Sequence, residues 1–168
     1  MATQTLVAPE TYLRMSFEGP DREYIDGELV QRGTPTYLHA RIQALLSFLF
    51  ENLRKQYPVF VVSEVRLALH ANHLYRIPDI CVFAGREPTE AIPDAPPLVA
   101  IEIVSPDDRT SETLKKFEEY RQWGVTHIWL IDPLEKTFFR YDATGLHPVN
   151  TLDLPEYSFR ITLADLSL

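Results

Sequence analysis

The chain has 168 residues, of which 45% are hydrophobic and 24% are charged, and its formal net charge at pH 7 is −8. This length and composition predict one globular domain around one core. No apolar run approaches the roughly 20 residues that a membrane span requires, which excludes a membrane-spanning protein. The N-terminus, from Met1 to Pro9, lacks the pattern of a secretory signal, and the single cysteine, Cys81, excludes an internal disulfide. We therefore expect a cytoplasmic protein without membrane association.

The negative charge bears on one function class in particular. Proteins that bind nucleic acid usually carry a basic surface, because neutralising phosphates supplies much of their affinity. This chain has no basic run; its densest positive pairs are Arg54-Lys55 and Lys115-Lys116. Two explanations remain open: either carboxylates gathered at a metal site account for part of the charge, or the substrate is not long duplex DNA.

Residues 1–20 are predicted to form a loosely structured N-terminal lead-in, and residues 21–168 a single domain. A small hairpin is expected around Asp26-Gly27, because this pair stands between two short apolar stretches. A helix is expected from about Tyr37 to Gln56, since its leucines and Ile42 follow helical spacing and Pro58 ends it.

The rest of the chain predicts strands around a second helix. The expected strands are 59–69, 75–84, 98–104 and 125–131, followed by a hairpin of 137–141 and 147–152. Residues 85–97 hold four prolines and predict a loop. The second helix is expected from about Ser111 to Trp123, ended by Gly124. This order predicts an α/β domain with a mixed central sheet.

Glu102 is the first candidate for chemistry. It interrupts the strand 98–104, whose other residues are all apolar, as in the middle of a buried sheet. An unpaired charge is costly to bury, so this carboxylate must be ion-paired, protonated or bound to a metal. A buried salt bridge is the alternative to a functional role.

Asp79 and Glu64 point to a metal. Asp79 begins the strand before that of Glu102, so in an antiparallel pair both carboxylates come to the same end of the sheet. With a turn centred between residues 71 and 72, Glu64 and Asp79 are cross-strand partners. Converging carboxylates repel each other unless a cation is present. All-oxygen ligands suit Mg²⁺, with Mn²⁺ as a substitute, so the predicted ligands are Asp79, Glu102 and Glu64.

Lys116 is the candidate cation of the site. On the second helix, Glu112, Lys116 and Tyr120 are four residues apart and share a face. A lysine there would orient the attacking water or stabilise the transition state of phosphoryl transfer. The competing interpretation is a surface ion pair between Lys116 and Glu112. His39 and Ser105 are predicted to have local packing, capping or turn roles.

These residues resemble those of the PD-(D/E)xK nuclease superfamily, and more narrowly the Uma-type restriction endonuclease family of bacteria and cyanobacteria. The matching segments, in chain order, are Tyr24–Leu29, His39, Ser63–Leu67, Tyr75–Ile80, Ile101–Pro106, Lys116 with Tyr120, Gly124-Val125 and Trp129–Pro133. The resemblance implies a restriction-endonuclease-like core of helix, three-stranded antiparallel meander, helix and strand, with extra edge hairpins. It also implies that Asp79 and Glu102 bind the metal and that Lys116 is catalytic.

One departure from the superfamily pattern bears on whether the protein is an active nuclease. The superfamily has a lysine two residues after the acid, where this chain has Val104; the Uma-type pattern has its lysine on the helix. The favoured hypothesis is a Mg²⁺-dependent endonuclease acting on DNA, with a homodimer as a possible assembly. The alternative is a catalytically inactive binding or scaffold module on a nuclease fold. A weaker third hypothesis is a phosphoesterase acting on small molecules.

Overall fold

Two β-sheets and two long helices position the candidate residues in the computed structural model, which describes residues 6–106 and 108–168. The helices are α1 (Pro9–Tyr12), α2 (Tyr37–Arg54) and α3 (Thr110–Trp123). The strands are β1 (Glu23–Ile25), β2 (Glu28–Val30), β3 (Val59–Ser63), β4 (Leu67–His70), β5 (Leu74–Arg76), β6 (Ile80–Ala84), β7 (Val99–Ile103), β8 (His127–Asp132), β9 (Thr137–Asp142), β10 (Gly145–Val149), β11 (Leu152–Leu154) and β12 (Phe159–Ile161).

The larger sheet is mixed, as the sequence predicts. It has six strands in the order β10-β9-β8-β7-β6-β3. The strands β7 and β8 are parallel, and every other pair of adjacent strands in this order is antiparallel. The chain order of α2, three antiparallel strands (β3, β6 and β7), α3 and β8 confirms the predicted restriction-endonuclease-like core. A smaller sheet has the order β2-β1-β5-β4.

One long hairpin runs through both sheets. The sequence predicts two continuous strands, 59–69 and 75–84, but each is divided, and β4 and β5 belong to the smaller sheet while β3 and β6 belong to the larger one. Ser63 pairs with Ile80 and Leu67 with Arg76, so the register continues across the division. Glu64 causes the break on the first strand, because its φ of +52° does not fit a strand.

A helix covers each face of the larger sheet. Ile42, Leu46 and Phe50 of α2 pack on the face that includes Ile101 and Ile103. The opposite face packs against Phe117 and Tyr120 of α3, and includes Cys81 and Ala100. Because side chains alternate along a strand, Glu102 lies on the α3 face. Cys81 is fully buried, so it is a core residue.

The segment before β1 contributes to packing. Residues 1–5 of the predicted lead-in lie outside the described residues; residues 6–20 include α1. Tyr12 of this helix is fully buried, and its ring stacks on Tyr24 with ring centroids 5.0 Å apart. The division of the chain at residue 20 stays a prediction.

No helix within residues 6–106 and 108–168 combines the length and apolarity that a membrane crossing requires. The predicted cytoplasmic location stays a prediction.

Gly124 ends α3 in the left-handed region, with φ +110°. We expect Gly124→Ala to lower the free energy of unfolding by about 1–2 kcal/mol, because an L residue is strained in this conformation. A Cβ at this position would lie 3.5 Å from Pro96 Cγ, an ordinary contact, so the cost is conformational and not steric. Urea unfolding of the two proteins measures the difference, and equal stabilities would contradict this account.

Candidate active site

Asp79 and Glu102 are cross-strand neighbours at one end of the larger sheet. Ile80 pairs with Ile101 in the antiparallel β6–β7 ladder, which places the preceding residue, Asp79, opposite Glu102. The backbone N–H of Ile103 donates a hydrogen bond to Asp79 Oδ2 at 2.7 Å. The structure therefore brings together the two carboxylates that the sequence predicted to meet.

Asp79 is buried and held by three donors. Arg32 Nη2 donates to its Oδ1 at 2.9 Å, and His39 Nε2 lies 3.1 Å from Oδ2, the oxygen that also accepts from Ile103. Burial by itself raises the pKa of Asp79, but the hydrogen bond from His39 and the nearby positive charges outweigh it and leave the pKa below its ordinary value. Asp79 is therefore ionised at neutral pH.

The pKa of Glu102 is shifted in the opposite direction. Its Oε1 accepts hydrogen bonds from Lys116 Nζ at 2.8 Å and from the Tyr120 hydroxyl at 2.9 Å. Burial raises the pKa of Glu102 to about 7; Lys116 opposes this shift, whereas Asp79 and Glu23 add to it. The raised pKa of Glu102 is thus mainly an effect of burial, which Lys116 only partly offsets.

Lys116 reaches the site from α3. Its Nζ lies 2.7 Å from Glu23 Oε1 and 2.8 Å from Glu102 Oε1, and it donates to the carbonyl of Ile77 at 3.2 Å. Burial lowers the pKa of Lys116, but the Glu102 and Glu23 carboxylates raise it above its ordinary value. The competing interpretation of a Lys116–Glu112 ion pair is not found among the described residues.

Val104 stands where the superfamily has its lysine. It packs, half-buried, in the apolar cluster between the sheet and α3. The cation beside Glu102 is therefore supplied by the helix and not by the strand, in agreement with the Uma-type pattern.

The backbone of Glu64 lies beside the backbone of Asp79. Its N–H donates to the Asp79 carbonyl at 3.3 Å, so the two residues are the cross-strand partners that the sequence predicted. Its carboxylate is 41% exposed, accepts from Gln43 Nε2 at 3.2 Å and lies 3.8 Å from Arg32 Nη1. Within residues 6–106 and 108–168, no three His, Cys, Asp or Glu side chains are grouped so that they could hold a metal ion. Metal binding by Glu64 stays a prediction.

The sequence interpretation missed a buried ion-pair network behind Lys116. Glu23, at the start of β1, accepts from Arg76 Nη1 at 2.7 Å and from the Ile77 N–H at 2.9 Å. Arg76 Nε also donates to Glu119 at 2.7 Å. Arg76 stands between Tyr75 and Ile77, so the signal that identified Glu102, a charge within an apolar strand, was present there as well.

His39 and Ser105 have more specific positions than the sequence indicated. The Thr36 side chain caps α2 by accepting from the His39 backbone N–H at 3.2 Å, while the His39 ring contacts Asp79. Ser105 forms a turn in which its N–H donates to Asp108 Oδ2 at 2.7 Å. His39 is therefore a residue of the site, and Ser105 is the turn residue that was expected.

One cleft of about 820 Å³ lies between the sheet, the start of α3 and the segment that precedes α2, and it is lined by Asp79, Glu102, Lys116, Glu64 and His39 among others. The lining includes six carboxylates and four arginine or lysine side chains: Glu23, Glu64, Asp79, Glu102, Asp108 and Glu112, with Arg32, Arg76, Arg109 and Lys116. The cleft is thus acidic, and it favours a cation before it can accept a polyanion.

The donor set suits a hard divalent cation. Mg²⁺ is usually held by one or two carboxylates, with waters and substrate phosphates as its other ligands, so Asp79 and Glu102 suffice. Glu102 lines the cleft, and its Oε2 has no hydrogen-bond partner in the described part of the chain. The carboxylates of Asp79 and Glu23 lie near Glu102 and add to the rise in its pKa that burial causes. The residues therefore fit a magnesium or manganese ion.

Comparison with solved structures identifies the class of fold. The structure is similar to that of a protein from Anabaena variabilis described as a "putative nuclease belonging to DUF820", with a TM-score of 0.81 and 26% sequence identity. The similarity covers 95% of this chain and 97% of that one, so the chain has a nuclease fold throughout. No curated protein shows significant similarity to the chain.

The family follows from the sequence itself. Residues 9–162 match the model of the Uma2 family, which is described as "Putative restriction endonuclease". The match covers nearly the whole chain, and the chain belongs to this family.

Proposed function

We propose that the protein is a Mg²⁺-dependent endonuclease that hydrolyses phosphodiester bonds in DNA. The observation that carries the proposal is the convergence of Asp79, Glu102 and Lys116 in one acidic cleft, from two adjacent strands and a helix. The family description and the similar nuclease of Anabaena variabilis support the same reaction class.

Asp79 and Glu102 are the proposed metal ligands. The ion would supply an activated water and neutralise charge that develops on the phosphate. The hydrogen bond from the Ile103 N–H and the contact with His39 fix the orientation of Asp79. Tyr120 and Lys116 fix Glu102 in the same way.

Lys116 acts in this scheme as a cation and not as a base. Its raised pKa keeps the ammonium protonated at neutral pH, and its Nζ has three protein acceptors. A protonated lysine beside the metal-binding carboxylates can stabilise negative charge on the transferring phosphoryl group. Glu23, which pairs with Lys116 and Arg76, positions Lys116 through its own buried carboxylate.

A metal titration tests the proposal. We expect Mn²⁺ and Mg²⁺ to raise the melting temperature and to support nicking of supercoiled plasmid, because a ligand that binds only the folded state stabilises it. Asp79→Asn should lose both responses. Asp94→Asn, an exposed aspartate in a different cleft, should keep both. A wild-type protein that shows neither response in either metal would overturn the proposal.

A binding module is the second candidate function. Asp79 has three protein donors and Lys116 three protein acceptors, so the site holds its charges without a metal. Because protein groups pair with these charges, the fold can persist in a protein that has lost catalysis. Retention of DNA in the presence of a chelator, without metal-dependent stabilisation or nicking, would identify this function.

We also propose a homodimer, because cleavage of both DNA strands needs two active sites. The strands β10 and β3 are the edges of the larger sheet and offer surfaces for pairing. Light scattering coupled to gel filtration should give twice the chain mass of 19.4 kDa. A species of the single-chain mass would remove this proposal and leave the endonuclease proposal in place.

A further inference from the structure

Arg32 lies on the wall of the cleft, in the segment between β2 and α2. Its side chain is 12% exposed; Nη2 contacts Asp79 Oδ1 at 2.9 Å and Nη1 lies 3.8 Å from Glu64 Oε2. The next residue, Gly33, packs closely on the turn after β7, since a Cβ there would lie 3.3 Å from Ser105 Cβ. The backbone of Arg32 is therefore held against the site while its guanidinium lies between two carboxylates.

Arg32 and a divalent cation require the same carboxylate. Asp79 Oδ2 is already used by His39 and by the Ile103 N–H, whereas Oδ1 has Arg32 as its one contact among the described residues, so a metal bound at Oδ1 would meet Arg32. Like charges at one carboxylate oxygen repel each other strongly in a buried site. Lys116 has less conflict with a metal, because it contacts Oε1 of Glu102 and leaves Oε2 without a hydrogen-bond partner in the described part of the chain.

We propose that Arg32 is a phosphate-binding residue, whose guanidinium contacts Asp79 and turns to a non-bridging oxygen of the target phosphate when a divalent cation takes that carboxylate. This inference rests on the proposed endonuclease function. The guanidinium is always charged, and its planar fork matches two phosphate oxygens. Its second contact, Glu64, is 41% exposed at the cleft, so Arg32 has a carboxylate beside it along the same wall.

If Arg32 has this role, replacing it changes metal affinity and the rate of nicking in opposite directions. Arg32→Gln removes the competing charge, so without DNA its affinity for Mn²⁺ in calorimetry should rise by about tenfold or more. The same substitution removes a phosphate donor, and nicking at saturating Mn²⁺ should fall by about 100-fold. A structural ion pair would behave differently, because its loss would disturb Asp79 and weaken Mn²⁺ binding.

Two further variants control the experiment. Arg41→Gln removes the same charge from an exposed position of α2 that does not line the cleft, and should leave the Mn²⁺ affinity unchanged. Arg32→Lys keeps the charge but loses the fork, so it should bind Mn²⁺ as the wild type does and recover part of the nicking. The Lys variant also serves if Arg32→Gln does not fold, as judged by its melting curve.

The outcomes distinguish this inference from the function on which it rests. Tighter Mn²⁺ binding with slower nicking in Arg32→Gln supports the inference. Unchanged or weaker Mn²⁺ binding in Arg32→Gln, together with a wild type that binds Mn²⁺ and nicks DNA, overturns the inference and leaves the endonuclease proposal standing. Absence of Mn²⁺ binding in both proteins overturns both.

Discussion

Glu102→Gln is expected to abolish metal-dependent stabilisation and to reduce nicking by about 10³-fold or more, since losing a metal ligand removes several kcal/mol of transition-state stabilisation. The fold should survive the change. Glutamine has nearly the shape of glutamate, and its carbonyl oxygen can still accept from Lys116 and Tyr120, the two donors that contact Glu102 Oε1. Thermal melts with and without Mn²⁺, followed by plasmid nicking, measure both effects.

The stability of the same variant, relative to the wild type, is expected to depend on pH in the presence of a chelator. The pKa of Glu102 is about 7 in the fold against an ordinary value of 4.5. Its protonation favours the folded state, and this contribution is lost as the pH rises from about 4.5 through about 7. Glu102→Gln should therefore gain stability relative to the wild type at pH 8 and not at pH 4. A difference that does not change with pH would contradict the raised pKa.

Lys116→Met is expected to lower the free energy of unfolding by about 3–5 kcal/mol, because it leaves the buried Glu23 and the largely buried Glu102 without their shared cation. Glu23 would keep Arg76, and Glu102 would keep only the Tyr120 hydroxyl. Nicking should be lost as well, since the ammonium beside the metal ligands is gone. Chemical unfolding measures the first effect and a plasmid assay the second.

Lys115→Met is the matched control, because Lys115 is the exposed neighbour on the same helix. It should change stability by no more than about 0.5 kcal/mol and leave nicking intact. Combining Lys116→Met with Glu102→Gln should cost less than the sum of the two single changes, since the double variant no longer buries an unpaired Glu102. Equal losses in the Lys115 and Lys116 variants would contradict the buried position of Lys116.

The sequence predicted the elements of the core and the meeting of its two central carboxylates. Both results came from local signals: the helical spacing of α2, the turn around Asn72 and the apolar strand that contains Glu102. Glu64 and Asp79 could be paired because antiparallel register follows from the position of the turn. Glu102 could be placed because the end of one antiparallel strand lies beside the start of its neighbour. The division of the hairpin between two sheets was missed, although Pro78, which has no N–H to donate, marks a position where a ladder is interrupted.

The other charged residues around Asp79 and Glu102 were harder to predict. Arg32 precedes α2 in a segment without regular structure; it contacts Asp79, and the next residue, Gly33, packs on Ser105. Glu23 belongs to the smaller sheet, which the sequence did not separate from the larger one. The contact of each residue with the site depends on how two sheets meet, and periodicity within a segment carries no information about that arrangement.

The candidate site is assembled from residues far apart in the chain, and this has a consequence during synthesis. Lys116 is ion-paired with Glu23, which leaves the ribosome early, and with Glu102, which leaves it shortly before Lys116 does. A nascent chain that lacks α3 therefore has no ammonium between these carboxylates and no wall on that side of the cleft. If the chain cuts DNA, its activity begins only when synthesis has passed α3, so abandoned shorter chains are harmless to the genome of the cell.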